Sequence, residues 1–177
     1  MKAGYSREDF NDGTSDIFQV LDDLNIRFEI QEHKAIFSEE DSKDVEIRLK
    51  GIDVKNLFVR DKDGNYGLVS MDLHKRADLK KIARTFGFGR LSFCNPDELM
   101  QHLNITPGSV SPLCIMFDAE GQVKLMFDEN FEGKNVIIHP LRNTASISLS
   151  FEDLKRFAEY FKHDWIMADV YKTELPD

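Results

Sequence analysis

Three features of the chain could act on an ester: Lys55, the loop Gly108 to Pro112 ("GSVSP") and His139. A lysine that enters an apolar pocket can orient a phosphate or a carbonyl as a point charge. Glycine permits positive φ and close backbone approach, and proline fixes the exit of the loop, so its backbone amides could stabilise an oxyanion. His139 lies where a predicted strand meets a proline, a place that commonly presents functional groups.

Each of these features also has a purely structural interpretation. Lys55 could be a surface lysine whose stem covers apolar area, and the loop could be an ordinary connection between a helix and a strand. Asn56 would face away from Lys55 in a fully extended strand, so the two share a site only where the strand is irregular.

The familiar motifs of other enzyme classes are absent from the sequence. It contains no GxSxG, HExxH, CxxC, GxGxxG or GxxxxGK[ST] pattern, so we expect no metal, no nucleotide cofactor and no standard covalent triad. Cys94 and Cys114 lie in apolar runs and are expected to be buried structural thiols. The histidines other than His139 are expected to be structural or exposed; they are His33, His74, His102 and His163.

One basic block stands out in an acidic chain. The net charge is -9, which argues against coating nucleic acid through bulk charge. The run "HKRADLKKIARTFGFGR" nevertheless concentrates positive side chains around a single acid, Asp78. We predict that it contacts a polyanionic partner, although such runs are most often solvated helix faces. The candidate contacts are Lys75, Arg76, Lys80, Lys81, Arg84 and Arg90.

The length of 177 residues predicts a single domain over 1–177, with about residues 1–14 as a flexible tail. No apolar run approaches the roughly twenty residues of a membrane span. The first residues are polar and acidic, unlike a secretion signal or a transit peptide. We therefore expect a cytoplasmic protein that does not act at a membrane.

The first half of the chain predicts two helices, a strand and a hairpin. "SDIFQVLDDLN" has helical apolar spacing with Ser15 as the cap, and "IRFEIQEH" alternates as an edge strand would. A second helix is predicted from Ser38 to Gly51. "KNLFVRDKDGNYGLVSM" reads as a hairpin that turns at Asp63 and Gly64.

The second half predicts three helices, a second hairpin and two further strands. Helices are expected over about Ala77 to Phe86, in "NPDELMQHLN" with Asn95 as cap, and in "FEDLKRFAEYF" after Ser150. The second hairpin would pair "LCIMFD" with "VKLMFD", and "NVIIHP" and "TASISLS" read as strands. Hairpins and helices without a regular βαβ rhythm predict a mixed α+β sheet or barrel.

Four segments together resemble the YbaK/prolyl-tRNA-editing family, and in particular its free-standing PrdX or ProXp-ala-like members. The segments are "KNLFVRDKDGNYGLV", "DLKKIARTFGFGRLSF", "ITPGSVSPL" and "HPLRNTASISLSFEDL", in the family's order. The resemblance implies an α+β fold around a curved, barrel-like sheet with surrounding helices. It also implies hydrolysis of a mischarged aminoacyl-tRNA, namely removal of alanine from tRNA(Pro) in trans, without a cofactor, and transient contact with a synthetase.

The resemblance implies roles for individual residues. Lys55 matches the family's active-site lysine and would orient the terminal phosphate or the ester, Gly108 would position the carbonyl and water, and His139 is the pocket histidine. The implied substrate-binding residues are Asn56, Ser109, Val110, Ser111, Pro112, Asn143 and Thr144. The sequence departs from the family at Lys34 and Ala35, where proline is frequent, and at Asn104, where glycine is common.

Other functions remain open on the sequence alone. The same cleft could belong to a catalytically silent module that binds aminoacyl-tRNA or a protein, to an editor of another small aminoacyl group, or to a general small-ester or thioester hydrolase. A group that activates water is not evident among the side chains, although a hydroxyl of the substrate could supply that role.

Overall fold

The centre of the fold is the predicted hairpin of β2 (Ile52–Arg60) and β3 (Tyr66–Asp72), which pair in antiparallel register from Val54 opposite Asp72 to Arg60 opposite Tyr66. Side chains of β2 alternate between two apolar clusters, with Phe58 in the larger and Val59 in the smaller. This alternation follows from the two-residue period of a strand. The computed structural model describes residues 5–11, 13 and 15–173.

The remaining strands extend the hairpin on both sides. They are β1 (Glu29–Glu32), β4 (Ser92–Phe93), β5 (Val123–Asp128), β6 (Asn135–Ile138), β7 (Ala145–Ser150) and β8 (Trp165–Ala168). The order across the sheet is β1-β7-β6-β2-β3-β5-β8, and β4 pairs with β2. The β2–β6, β3–β5 and β5–β8 pairs are parallel. Strands β1 and β8 form the two ends of this path, so the sheet is open across the described residues.

The helices cover both faces of the sheet. They are α1 (Arg7–Asn11), α2 (Ile17–Asp23), α3 (Glu39–Lys43), α4 (Leu79–Phe86), α5 (Pro96–Leu103) and α6 (Phe151–Tyr160). Buried residues of α2, α5 and α6 belong to the larger cluster, and those of α4 to the smaller. The predicted α+β class is therefore correct. No helix in the described ranges is long and apolar enough to cross a membrane.

Local sequence signals account for several helix starts. Asn95 and Glu98 form the predicted capping box of α5, and the Ser150 hydroxyl caps α6. Two other starts differ slightly from expectation. Asp16 rather than Ser15 caps α2, and Asp78 caps α4, which begins after Ala77. An aspartate satisfies the free backbone N–H groups of a first turn as well as a serine does.

Two of the element predictions are wrong. The helix that starts after Ser38 ends at Lys43 instead of continuing to Gly51. Beyond this end, the Gln31 side chain donates to the Glu46 carbonyl and accepts from the Arg48 N–H. The second hairpin does not form. Pro112–Phe117 is a buried 3-10 helix, capped by Ser111, and β5 pairs instead with β3 and β8. A short apolar run does not by itself distinguish a buried strand from a buried helix.

The segment expected to be a flexible tail is partly folded. Arg7 of α1 donates hydrogen bonds to the carbonyls of Gln101 (3.0 Å) and Phe117 (2.9 Å), and Phe10 packs edge-on against Phe117. Residues 1–4, 12 and 14, also part of the predicted tail, lie outside the described residues.

Candidate active site

A cleft of about 270 Å³ opens where β2 and β6 stop pairing. The two parallel strands are in register at Ile52 opposite Val136 and Asp53 opposite Ile137. Lys55 and His139 lie two residues further along the chain from Asp53 and Ile137, and both line the cleft. Asn56, the next residue of β2, lines the same cleft as Lys55.

Lys55 brings a positive charge to this cleft. It is half-buried, and it is the one lysine or arginine among the described residues that line the cleft. No hydrogen bond or ion pair engages its ammonium group within the described part of the chain. The charge is therefore available to a phosphate or an ester oxygen.

Gly108 and Val110 form one wall of the cleft that Lys55 and His139 also line. Gly108 adopts φ +86°, a left-handed conformation that favours glycine. The Ser109 N–H donates to the Thr106 carbonyl at 3.3 Å, whereas the N–H groups of Gly108 and Val110 have no acceptor among the described residues. Free backbone N–H groups at the edge of a cleft can stabilise the negative oxygen of a tetrahedral intermediate.

Asn56 holds this wall in place. Its side-chain N–H donates to the Val110 carbonyl at 3.1 Å, and its oxygen accepts from the buried Ser70 hydroxyl at 2.6 Å. Both polar groups of the amide are therefore used inside the protein. Asn56 fixes the distance between β2 and the loop that carries Gly108.

Asn143 performs a similar task for the rim of the cleft. Its side chain donates to the Ile36 carbonyl at 3.1 Å, and its own carbonyl accepts from the Ile36 N–H. A Cβ on Gly108 would lie 3.5 Å from the Ile36 carbonyl oxygen and 3.7 Å from the Asn143 side chain. Three loops therefore meet here, and Phe37, 72% exposed, forms the outer rim.

His139 is held in one tautomer. Its Nδ1 lies 2.9 Å from the Ala145 carbonyl, which can only accept, so Nδ1 carries the proton. Burial lowers the pKa of His139 below its ordinary value, against the opposing effect of that hydrogen bond, and nearby His33 lowers it further. The neutral ring therefore keeps a lone pair on Nε2, which has no partner among the described residues.

Other predicted site residues serve the structure around the cleft. Ser109, Ser111 and Pro112 are buried and are not among the lining residues. The Thr144 hydroxyl accepts from Arg142, which also pairs with Glu32. These contacts fix the loop between β6 and β7.

The basic run begins at His74, which follows the cleft residue Leu73 and pairs with the cleft residue Asp53 at 3.6 Å. Lys75, Arg76, Lys80, Arg84 and Arg90 are exposed, so they are free to meet a polyanion. Lys81 is different, because it pairs with Asp169 at 3.1 Å and donates to the Tyr171 carbonyl at 2.8 Å. No group of three or more metal-binding side chains is found among the described residues.

Residues 36–157, which contain all of these cleft loops, match the family model of the aminoacyl-tRNA editing domain. The chain belongs to this family. The resemblance read from the four sequence segments is thereby confirmed.

This chain aligns with named relatives over most of its length. It is 34% identical over 150 residues to a prolyl-tRNA editing protein, ProX, of Acetoanaerobium sticklandii, covering 84% of this chain and 92% of the relative. It is also 34% identical over 161 residues to prolyl-tRNA synthetase associated domain-containing protein 1 of Bos taurus, covering 88% and 94%.

Solved structures share the fold at low sequence identity. A protein described as a candidate trans-editing enzyme for prolyl-tRNA synthetase superposes with a TM-score of 0.61 at 19% identity, over 89% of this chain and 97% of its own. A hypothetical protein gives a TM-score of 0.66 at 16% identity, over 88% and 99%. These likenesses establish the editing-domain fold.

The sequence interpretation missed several polar residues of the site, including His33 and Ser146; the others, which line the cleft, are Ser38, Glu39, Ser42 and Asp53. His33 was expected to be structural or exposed, yet it lies beside His139 with ring centroids 6.1 Å apart. Ser146 lines the cleft, but the sequence predicted only that it belongs to a strand with alternating polar and apolar residues. The two residues are 113 positions apart, so no local pattern could have connected them.

Proposed function

We propose that this protein is a trans-editing hydrolase that removes alanine from mischarged Ala-tRNA(Pro). The observation that carries the proposal is the cleft between β2 and β6, where Lys55, Gly108 and His139 meet in a member of the aminoacyl-tRNA editing family. The names of the relatives, which mention prolyl-tRNA editing and prolyl-tRNA synthetase, support tRNA(Pro) as the carrier.

The groups of the cleft suit hydrolysis by a positioned water. Water adds to the ester carbonyl carbon, and the resulting oxyanion is stabilised by the free N–H groups of Gly108 and Val110. The bond to the terminal ribose oxygen then breaks, and that oxygen takes up the proton that the attacking water loses. Lys55 orients the adenosine phosphate or the ester oxygen, and His139, through its neutral Nε2, accepts a hydrogen bond in the pocket.

Specificity follows from the size of the cavity. Its apolar walls include Val54, Val110 and Ile138, which suit a methyl side chain. Small apolar differences give a synthetase only about 1–3 kcal/mol of discrimination, so a second hydrolytic site raises fidelity. We expect the tRNA body to lie across the exposed basic residues around α4, with transient contact to prolyl-tRNA synthetase, in the cytoplasm.

The decisive experiment is a deacylation panel with alanine, serine, cysteine and proline esterified to tRNA(Pro). The wild-type protein should release alanine fastest. Lys55→Ala should lower kcat/KM by about 10- to 100-fold, the range expected for losing a hydrogen bond from a charged group. Lys62→Ala is the matched control, because Lys62 is exposed in the β2–β3 turn.

The outcomes separate the candidate functions. Failure of the wild-type protein to release any of the four amino acids would refute the enzymatic proposal. Binding of aminoacyl-tRNA without turnover would favour a silent binding module. Equal turnover of a short alanine ester lacking tRNA would favour a general esterase.

A further inference from the structure

A hydrogen-bonded pair, His33 and Ser146, lies beside the catalytic groups and has no part in the mechanism given above. His33 follows the last residue of β1, and Ser146 is the second residue of β7. The His33 N–H donates to the Thr144 carbonyl at 2.9 Å, and His33 Nε2 lies 2.9 Å from Ser146 Oγ. The pairing of β1 with β7 therefore places the two side chains next to each other.

The positions of the protons in this pair follow from its neighbours. His33 Nδ1 lies 2.8 Å from the Lys34 carbonyl oxygen, which can only accept, so Nδ1 carries a hydrogen. In the neutral ring Nε2 then holds only a lone pair. With the ring in this neutral form, the serine hydroxyl donates to Nε2, and Ser146 Oγ keeps only lone pairs for a further partner.

This oxygen borders the cleft. Ser146 is among the lining residues and is 4% exposed. The carbonyl of Ala145, the preceding residue of β7, accepts a hydrogen bond from His139 Nδ1. His139 Nε2 therefore keeps a lone pair. Ser146 Oγ and His139 Nε2 are therefore neutral acceptors at the cleft, which the carboxylates of Glu39 and Asp53 also line. The ammonium of Lys55 and the free N–H groups of Gly108 and Val110 supply the donors.

An aminoacyl ester has the complementary distribution of groups. Its ester carbonyl accepts hydrogen bonds, and its α-ammonium group donates them. We propose that Ser146 Oγ receives the α-ammonium group of the substrate, and that His33 is a positioning residue that keeps the serine hydroxyl turned away. This inference rests on the proposed function and names a second recognition element of the same site.

A comparison of two substrates tests the pair. Ala-tRNA(Pro) carries the ammonium group, whereas N-acetyl-Ala-tRNA(Pro) has the same ester without that charge. Ser146→Ala should raise KM for Ala-tRNA(Pro) by about 10- to 100-fold, as for loss of a hydrogen bond to a charged group, with a smaller change in kcat. The same variant should match the wild-type protein on the N-acetyl substrate.

Variants of His33 test the positioning role. His33→Ala frees the serine hydroxyl to rotate, so KM for Ala-tRNA(Pro) should rise by a smaller factor than with Ser146→Ala. His33→Gln retains an acceptor and should restore part of the affinity. The double variant His33→Ala with Ser146→Ala should be no worse than Ser146→Ala, because the two residues act as one unit.

Ser148→Ala is the matched control. Ser148 lies two positions along β7, is equally buried at 5% exposed, and donates to the Lys50 carbonyl at 2.6 Å. It is not among the cleft residues, so its loss should lower thermal stability without a substrate-dependent change in KM. Should Ser146→Ala fail to fold, Ser146→Cys preserves the volume with a weaker acceptor and permits the same comparison.

The results distinguish the inference from the proposed function. An equal loss on both substrates would overturn the inference, since it would indicate a structural role for Ser146. An alanyl ester trapped on Ser146 and seen by mass spectrometry would also overturn it, because the serine would then be a nucleophile. If the wild-type protein hydrolyses neither substrate, the proposed function itself has failed.

Discussion

Replacement of Asn56 by alanine tests how the Gly108 wall is held. The change removes the 3.1 Å hydrogen bond to the Val110 carbonyl and leaves the fully buried Ser70 hydroxyl without its acceptor. The first loss costs about 1 kcal/mol and the second about 1–3 kcal/mol. The free energy of unfolding should therefore fall by about 2–4 kcal/mol.

Urea denaturation and thermal melts followed by circular dichroism would measure this loss. A chain of this length loses about 2–4 °C in Tm per kcal/mol, so a loss of about 3 kcal/mol corresponds to about 6–12 °C. Asn135→Ala is the control, because Asn135 is an exposed asparagine at the start of β6. Its effect should stay within about 0.5 kcal/mol.

The double variant Asn56→Ala with Ser70→Ala gives the sharper result. Once Asn56 is gone, removal of the Ser70 hydroxyl eliminates an unpaired buried group, so the two losses should be non-additive by about 1–2 kcal/mol. Strict additivity, or a loss below about 1 kcal/mol for Asn56→Ala alone, would refute the assignment of Asn56 as the tie between β2 and the loop.

Three further predictions concern the loop, the pH response and the basic surface. Gly108→Ala must adopt φ +86°, so it should cost about 1–2 kcal/mol in urea denaturation and also slow deacylation. Burial alone would raise the pKa of Asp118, but hydrogen bonds from His163 and from two backbone N–H groups lower it overall. Stability from the charged carboxylate is present above the ordinary pKa and is lost as the pH falls through the lowered one. His163→Leu removes the His163 hydrogen bond, so acid unfolding followed by fluorescence should occur at a higher pH. Lys80→Ala should reduce the slope of log Kd against log salt for tRNA binding by about 1.

Matched variants provide a control for each of these changes. Gly64→Ala imposes a similar φ, +81°, in open space at the β2–β3 turn, so it should match the stability loss while leaving deacylation intact. An unchanged acid midpoint in His163→Leu, with His74→Gln as the exposed control, would contradict the role given to that contact. Lys81→Ala should affect stability more than the salt slope, because Lys81 is already paired with Asp169.

The sequence by itself determined much of the local structure. Some signals act over only a few residues, and the elements that they predict are present. They are the capping residues Asn95 and Ser150, the Asp63-Gly64 turn and the period-two apolar patterns. It also placed Lys55, the Gly108 loop and His139 as candidates, because their order along the chain resembles the editing family. Their catalytic roles remain predictions.

Only the tertiary structure decided which of these residues share one cleft. The parallel pairing of β2 with β6 places Lys55 beside His139, although 84 positions separate them in the sequence. The pairing ends before these two residues, so the cleft opens between them. The pairing of β1 with β7 likewise joins His33 to Ser146. A separate long-range contact ties Asn56 of β2 to the Val110 carbonyl. Local patterns carry no information about strand partners, because pairing is chosen by burial and hydrogen bonding over the whole sheet.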